Sequence, residues 1–178
     1  GDLTVDGNTD IGGAVTVDGS ITASSGIYLG GTGSDNLLDD YEIGTWTPSY
    51  DCATASPTIT YDVEERSAAY IKIGKMVFVH GTIRTDAASG GSGGLHLIGL
   101  PFSAKASGSE RCGGFSVSGY QSGWGASHPT GGYINNGTDY FVIMANSNTA
   151  DVIVVDHTDL VAGGNKNFMM FHGQYEID

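Results

Sequence analysis

The sequence predicts an all-β protein, a short strand-and-turn stem followed by an antiparallel β-sandwich or jelly-roll-like head. Three observations predict it. Glycine is abundant, at 29 of 178 residues, while Pro numbers 4. Interior glycines disfavour helices by about 1 kcal/mol each relative to Ala but suit tight turns. Short runs that alternate apolar and polar residues recur along the chain, with turn residues between them. The strand-like runs recur at short intervals with turns between, the pattern of a sandwich or jelly roll and not of βαβ units.

The stem comes first, over residues 1–44. Leu3-Thr4-Val5-Asp6-Gly7-Asn8 returns as Val15-Thr16-Val17-Asp18-Gly19-Ser20. Each copy alternates and then turns at Asp-Gly. A short strand at Ile27-Tyr28-Leu29 ends in Gly30-Gly31-Thr32-Gly33. Such units cannot bury their apolar side alone, so residues 1–36 are expected to intertwine with further copies of the chain. The competing reading is a Gly/Asp-rich linker, and the regular Leu/Val/Ile alternation argues against it. Leu37 to Ile43 is the one place for a short helical turn, with Asp39 and Asp40 suited to a helix N-terminus.

The head, over residues 45–178, reads as strand after strand. Thr45-Trp46-Thr47 starts one. Ala69 to Ile73 alternates, Gly74-Lys75 fits a two-residue hairpin turn, and Met76 to Arg84 returns. Gly81 within it suggests a bulge or a close approach. Asp86 to Gly94 reads as a flexible loop, and Asp62, Glu64 and Glu65 as a solvated one. Leu95 to Ile98, Phe115 to Tyr120, Gly132 to Asn135 and Thr138 to Ile143 follow, the last two around Asn136-Gly137, the preferred pair for a type I′ turn. Asp151 to Val155 reads as a central strand, and Asn167 to Tyr175 as the last strand.

Charge narrows the function. The chain has 20 acids against 7 Lys and Arg, a net −13. That field repels phosphate backbones and anionic lipid, so nucleic acid is excluded as a partner. The imbalance is steepest from Gly1 to Ile43, with eight acids and no Lys or Arg. No stretch reaches the roughly 20 apolar residues of a membrane-spanning helix, so no membrane insertion is expected. No signal peptide is visible. The chain begins at Gly1, not Met, which reads as a piece of something longer. Cys52 and Cys112 form no CxxC pattern, and their spacing leaves a single bridge or two free thiols open.

One string resembles a known family. Ile27-Tyr28-Leu29-Gly30-Gly31-Thr32-Gly33, then Leu38-Asp39-Asp40-Tyr41-Glu42 and Gly44-Thr45-Trp46-Thr47-Pro48, is similar to a junction in phage tail fibre proteins. Tyr70 to Lys75 with Val77 and Val79, Gly99-Leu100-Pro101-Phe102 and Gly173-Gln174-Tyr175 resemble that family too. Ile43 departs from it, where a second Glu is expected. Ser103 to Thr130 carries no resemblance. The resemblance implies the C-terminal region of a tail fibre, a receptor-binding protein of the virion made in the bacterial host cytoplasm. It implies a homotrimer attached to upstream tail proteins, binding host surface polysaccharide or lipopolysaccharide. Leu38, Asp39, Asp40, Tyr41 and Trp46 are the structural junction, with Trp46 anchoring stem to head.

Candidate chemistry concentrates in one loop. Sugars stack their apolar faces on aromatic rings and need fixed polar partners for their hydroxyls. Tyr120, Trp124 and His128 in a Gly-rich loop, with Tyr133, Asn135 and Asn136 beyond it, form the expected glycan site. Packing within or between subunits is the competing reading of that loop. No catalytic residues are expected. Glycosidases need two carboxylates across a bond, and no pair announces itself. Cys112 has no His tied to it by sequence and reads as a small buried residue. No cofactor and no metal are expected, since the five His show no close ligand spacing. His80 and His172, in predicted strands, read as core residues or, if turned to a threefold axis, as a shared ion site. The alternatives to a binding head are a purely structural tail or baseplate component and a glycan-degrading tailspike enzyme.

Overall fold

The computed structural model describes residues 5–108, 112–146 and 151–178. The chain forms two compact units, Gly1–Asp39 and Asp40–Asp178. In the first unit, residues 5–26 form bends and one turn without ladder pairing, and Val5, Ile11, Val15, Val17 and Ile21 are exposed. A two-stranded ladder follows. β1 (Ile27–Tyr28) pairs antiparallel with β2 (Leu37–Leu38), across a 3₁₀ turn at Ser34–Asn36.

The second unit is an all-β antiparallel sandwich. Its strands are β3 (Tyr41–Trp46), β4 (Ser49–Cys52), β5 (Ala55–Ile73), β6 (Met76–Ser92), β7 (Leu95–Ile98), β8 (Gly113–Ser122), β9 (Pro129–Ile134), β10 (Tyr140–Asn146), β11 (Val152–Val154) and β12 (Lys166–Glu176). The order across the sheet is β3-β5-β6-β12-β8-β9-β10-β7-β4, with β11 on β10. The sheet doubles over at β9–β10, so β10-β7-β4 lies on β5-β6-β12-β8. Ring contacts join the layers: Phe141 of β10 meets Phe115 of β8 at 5.1 Å and Tyr175 of β12 at 5.9 Å. β4 is tied to β5, where the Tyr50 amide donates to the Tyr61 hydroxyl at 2.6 Å.

Alternation explains both faces. In register, Gly44, Tyr70, Val79, Gly173, Phe115 and Gly132 make one row that turns inward. The next row, Ile43, Ile71, Phe78, Gln174, Gly114 and Tyr133, turns outward. Gly81 sits opposite Ala68 without a break in register, and a Cβ there would lie 2.5 Å from the Ala68 Cβ. It is the close approach, not a bulge.

Several expectations are corrected. Leu37 to Ile43 holds no helical turn: Leu37 and Leu38 pair with β1, and Tyr41–Trp46 is a strand zipped to Ile73–Ala68. The units therefore divide at Asp39, and Tyr41 to Gly44 run with the head strand. Asp86 to Gly94 is not a flexible loop, because Ala55–Tyr61 supplies a ladder partner as far as Ser92. Asp62 to Glu65 bulge from β5 and are held there: Arg84 Nε donates to the Asp62 carboxylate at 3.0 Å, and the Glu64 amide donates at 2.8 Å. Val152–Val154 is an exposed edge strand, not a central one. The Asn135–Thr138 turn has positive φ at Gly137 but not at Asn136, which excludes type I′. Both thiols are free.

Candidate functional site

The expected glycan-binding set does not assemble. Trp124 is 6% exposed. Its Nε1 donates to the Phe168 carbonyl at 2.8 Å, and its ring meets Tyr50 edge-on at 5.6 Å. It therefore closes one end of the core and cannot stack on a sugar, which corrects the sequence reading. The loop is drawn inward by the 3₁₀ turn at His157–Asp159. Gly125 N donates to Asp159 O, and Ser127 N to the buried Asp159 carboxylate, each at 2.8 Å. His128 lies beyond this anchor and is exposed. The side chain of Tyr120 lies outside the described residues.

Asn135 and Asn136 serve another turn. Asn136 Nδ2 donates to Gly108 O at 2.6 Å, and its Oδ1 accepts from the Cys112 thiol at 2.9 Å. Asn135 O accepts from the Thr138 hydroxyl at 2.8 Å. These contacts fasten the turn to the segment before β8. Burial, then the Glu176 charge, pushes the Cys112 thiol up, away from a nucleophilic thiolate.

Tyr133 keeps an outward position, and the outward row continues past it. Tyr133 pairs with Val142, Val142 with His96, and His96 with Asp51. The His96 imidazole stacks on the Tyr140 ring at 4.3 Å and 15°. Both side chains are half-buried. The outer face of β9-β10-β7-β4 thus presents Tyr133, Tyr140 and His96 with the Asp51 carboxylate. Asp51 Oδ1 is fixed by the Cys52 amide at 2.8 Å. Burial holds the His96 imidazole below its ordinary pKa, with the Asp51 charge opposing. Rings beside an oriented carboxylate suit a saccharide: C–H faces lie on the rings, and hydroxyls donate to the carboxylate.

His96, Tyr140 and Asp51 did not stand out in sequence. The alternation of Leu95-His96-Leu97-Ile98 signals that His96 faces away from Leu95 and Leu97, but nothing local brings Tyr140 to it. His80 and His172 are exposed cross-strand neighbours, not core residues.

Among the junction residues, Trp46 lies in the head core with its ring 5.8 Å from Phe171. Asp40 is paired with Lys72, and its carbonyl accepts from Gly74 N at 2.7 Å. Tyr41 pairs with Ile73, and Leu38 with Ile27. Among the described residues, no cluster of three or more His, Cys, Asp or Glu could hold a metal ion, and no helix is long and apolar enough to cross a membrane.

Comparison with known proteins bears on the fold. No protein-family model and no curated protein matches the sequence. Among solved structures, the chain is similar to the crystal structure of the Dettilon tailspike protein (gp208), with a TM-score of 0.59 and 17% identity. The similarity covers 76% of this chain and 24% of that one, so this chain spans about a quarter of its length.

Proposed function

We propose that the chain is the receptor-binding head and adjoining stem of a phage tail fibre or tailspike. It acts as a homotrimer and binds a bacterial surface polysaccharide without cleaving it. The observation that carries this reading is the likeness of the chain to a segment of a tailspike over 76% of its length. The tail-fibre-like junction string from Leu38 to Pro48 supports it independently of fold.

The binding surface is the outer face of β9-β10-β7-β4. Tyr133, Tyr140 and His96 supply ring area, and Asp51 accepts from sugar hydroxyls. Several carboxylates elsewhere are already engaged. Asp62 is held by Arg84, Glu176 by Lys105 at 2.7 Å, Glu42 by Tyr70 and Asp159 by two backbone amides. Arg84 keeps the Asp62 carboxyl below its ordinary value, unsuited to a general acid. These engagements favour binding over hydrolysis.

The test is binding of the fluorescently labelled full chain to a panel of bacterial strains, with purified surface polysaccharides as competitors. Saturable binding to some strains, blocked by their own polysaccharide and without release of reducing ends, is the expected result. Release of reducing ends would favour the tailspike enzyme. Absence of saturable binding across the panel would favour a structural tail component.

A further inference from the structure

The outer face of the other layer, β3-β5-β6-β12-β8, has an unusual composition. A solvated antiparallel sheet face is ordinarily polar and charged. Here one row reads Ile43, Ile71, Phe78, Gln174 and Gly114. The next outward row reads Thr45, Ala69, His80, His172 and Ser116. A third brings Ser67, Thr82 and Met170. None of these is Asp, Glu, Lys or Arg, in a chain of net charge −13. Charge resumes only at the margins, with Glu176 at one end and the Arg84–Asp62 pair at the other.

The face is also apolar and grooved. Ile43 is 64% exposed, Phe78 40%, Met170 38% and Ile71 36% in the single chain. Two shallow grooves of about 660 and 420 Å³ adjoin on it and share His80 and His172. Five strands at about 4.8 Å spacing and seven residues at about 3.4 Å rise make a patch roughly 24 Å square. That is roughly 580 Å² per chain, shared between two neighbours, against the ~800 Å² each partner gives to one standard interface.

We propose that this uncharged face of β3-β5-β6-β12-β8 packs against the same face of two further copies of the chain, around a threefold axis. The proposal rests on the homotrimeric reading above and adds the surface by which the trimer is made. Charge selects the occupant. Copies of an acidic chain repel wherever their acids meet, so they associate through a surface that has none. A basic partner would be drawn to the acids, which lie off this face.

The experiment is light scattering on the full chain and on the double variant Ile71→Glu/Phe78→Glu, with Val63→Glu as control. Val63 is 91% exposed on the β5 bulge and belongs to none of these rows. The wild type and Val63→Glu are expected at three chain masses. The double variant is expected at one chain mass, with its β-sheet circular dichroism retained. A double variant that stays trimeric overturns the face while leaving the homotrimer standing. A wild type at one chain mass contradicts the homotrimer itself and the face with it. Loss of polysaccharide binding by a double variant that stays trimeric would assign the face to the ligand instead. If the double variant does not fold, Gln174→Cys in a Cys112→Ala background replaces it. A short bis-maleimide should then give covalent dimers on a denaturing gel, and Val63→Cys in the same background should give none. Only monomer from Gln174→Cys would overturn the proposal.

Discussion

The indole of Trp124 donates to the carbonyl of Phe168 across 2.8 Å inside the core, joining the loop after β8 to the start of β12. This makes Trp124 a packing residue. Trp124→Ala is expected to cost about 3–5 kcal/mol of stability, the usual range for truncating a buried large aromatic. Chemical denaturation checks it. A variant of wild-type stability with weakened polysaccharide binding would return Trp124 to the ligand site.

Gly81 has no room for a side chain. A Cβ there would lie 2.5 Å from the Ala68 Cβ and 2.6 Å from the Ser67 carbonyl, so the β5–β6 ladder must shift to admit one. Gly81→Ala is expected to destabilise by about 1–3 kcal/mol, as overpacking does. A denaturation midpoint at or above wild type would contradict the close approach.

Asn167 is fully buried and satisfied. Its Nδ2 donates to Thr85 Oγ1 at 2.7 Å and Val161 O at 2.9 Å, while its Oδ1 accepts from Val161 N at 2.8 Å. Its carbonyl accepts from the Tyr50 hydroxyl at 2.9 Å, and its φ of 51° is one that Asn tolerates better than most residues. Asn167→Leu keeps the branching at Cγ but orphans the Val161 amide and carbonyl. We expect a loss of at least about 1–3 kcal/mol, the cost of leaving buried polar groups unpaired. Urea unfolding that leaves the midpoint unmoved would refute this network.

His96 gives a pH dependence. Burial lowers its folded-state pKa beneath the unfolded value of 6.5, so folding excludes a proton. Its contribution is complete above the unfolded value. It is lost as pH falls from there towards the folded-state value, where the unfolded chain binds the proton first. His96→Phe should retain a ring against Tyr140 and flatten the decline in stability between pH 7 and 5. An unchanged slope in thermal melts across that window would show that other groups set it.

Much of the sandwich was legible because alternation is a local property. Ala69–Ile73, Met76–Arg84, Phe115–Ser118 and Asn167–Tyr175 each show which residues turn inward. Position in the sheet is not local. Val152-Ile153-Val154 has a central strand's composition yet pairs on one side only. The segment from Asp86 to Gly94 has a loop's composition, yet Ala55–Tyr61 completes a ladder with most of it. The candidate site was less legible still. Trp124 sits in a loop that looks solvent-facing, and only its ties to the Asp159 turn draw it inward. Tyr140 and His96 meet because β7 pairs with β10, a contact between strands far apart in sequence.

The most direct test of the account is the affinity of the full chain for the polysaccharide of a strain it binds, compared with that of Tyr140→Ala. Removal of the ring should weaken binding at least about tenfold, close to 1.4 kcal/mol, with folding and oligomeric mass unchanged. Equal affinity of the two proteins would contradict the placement of the receptor site on the outer face of β9-β10-β7-β4.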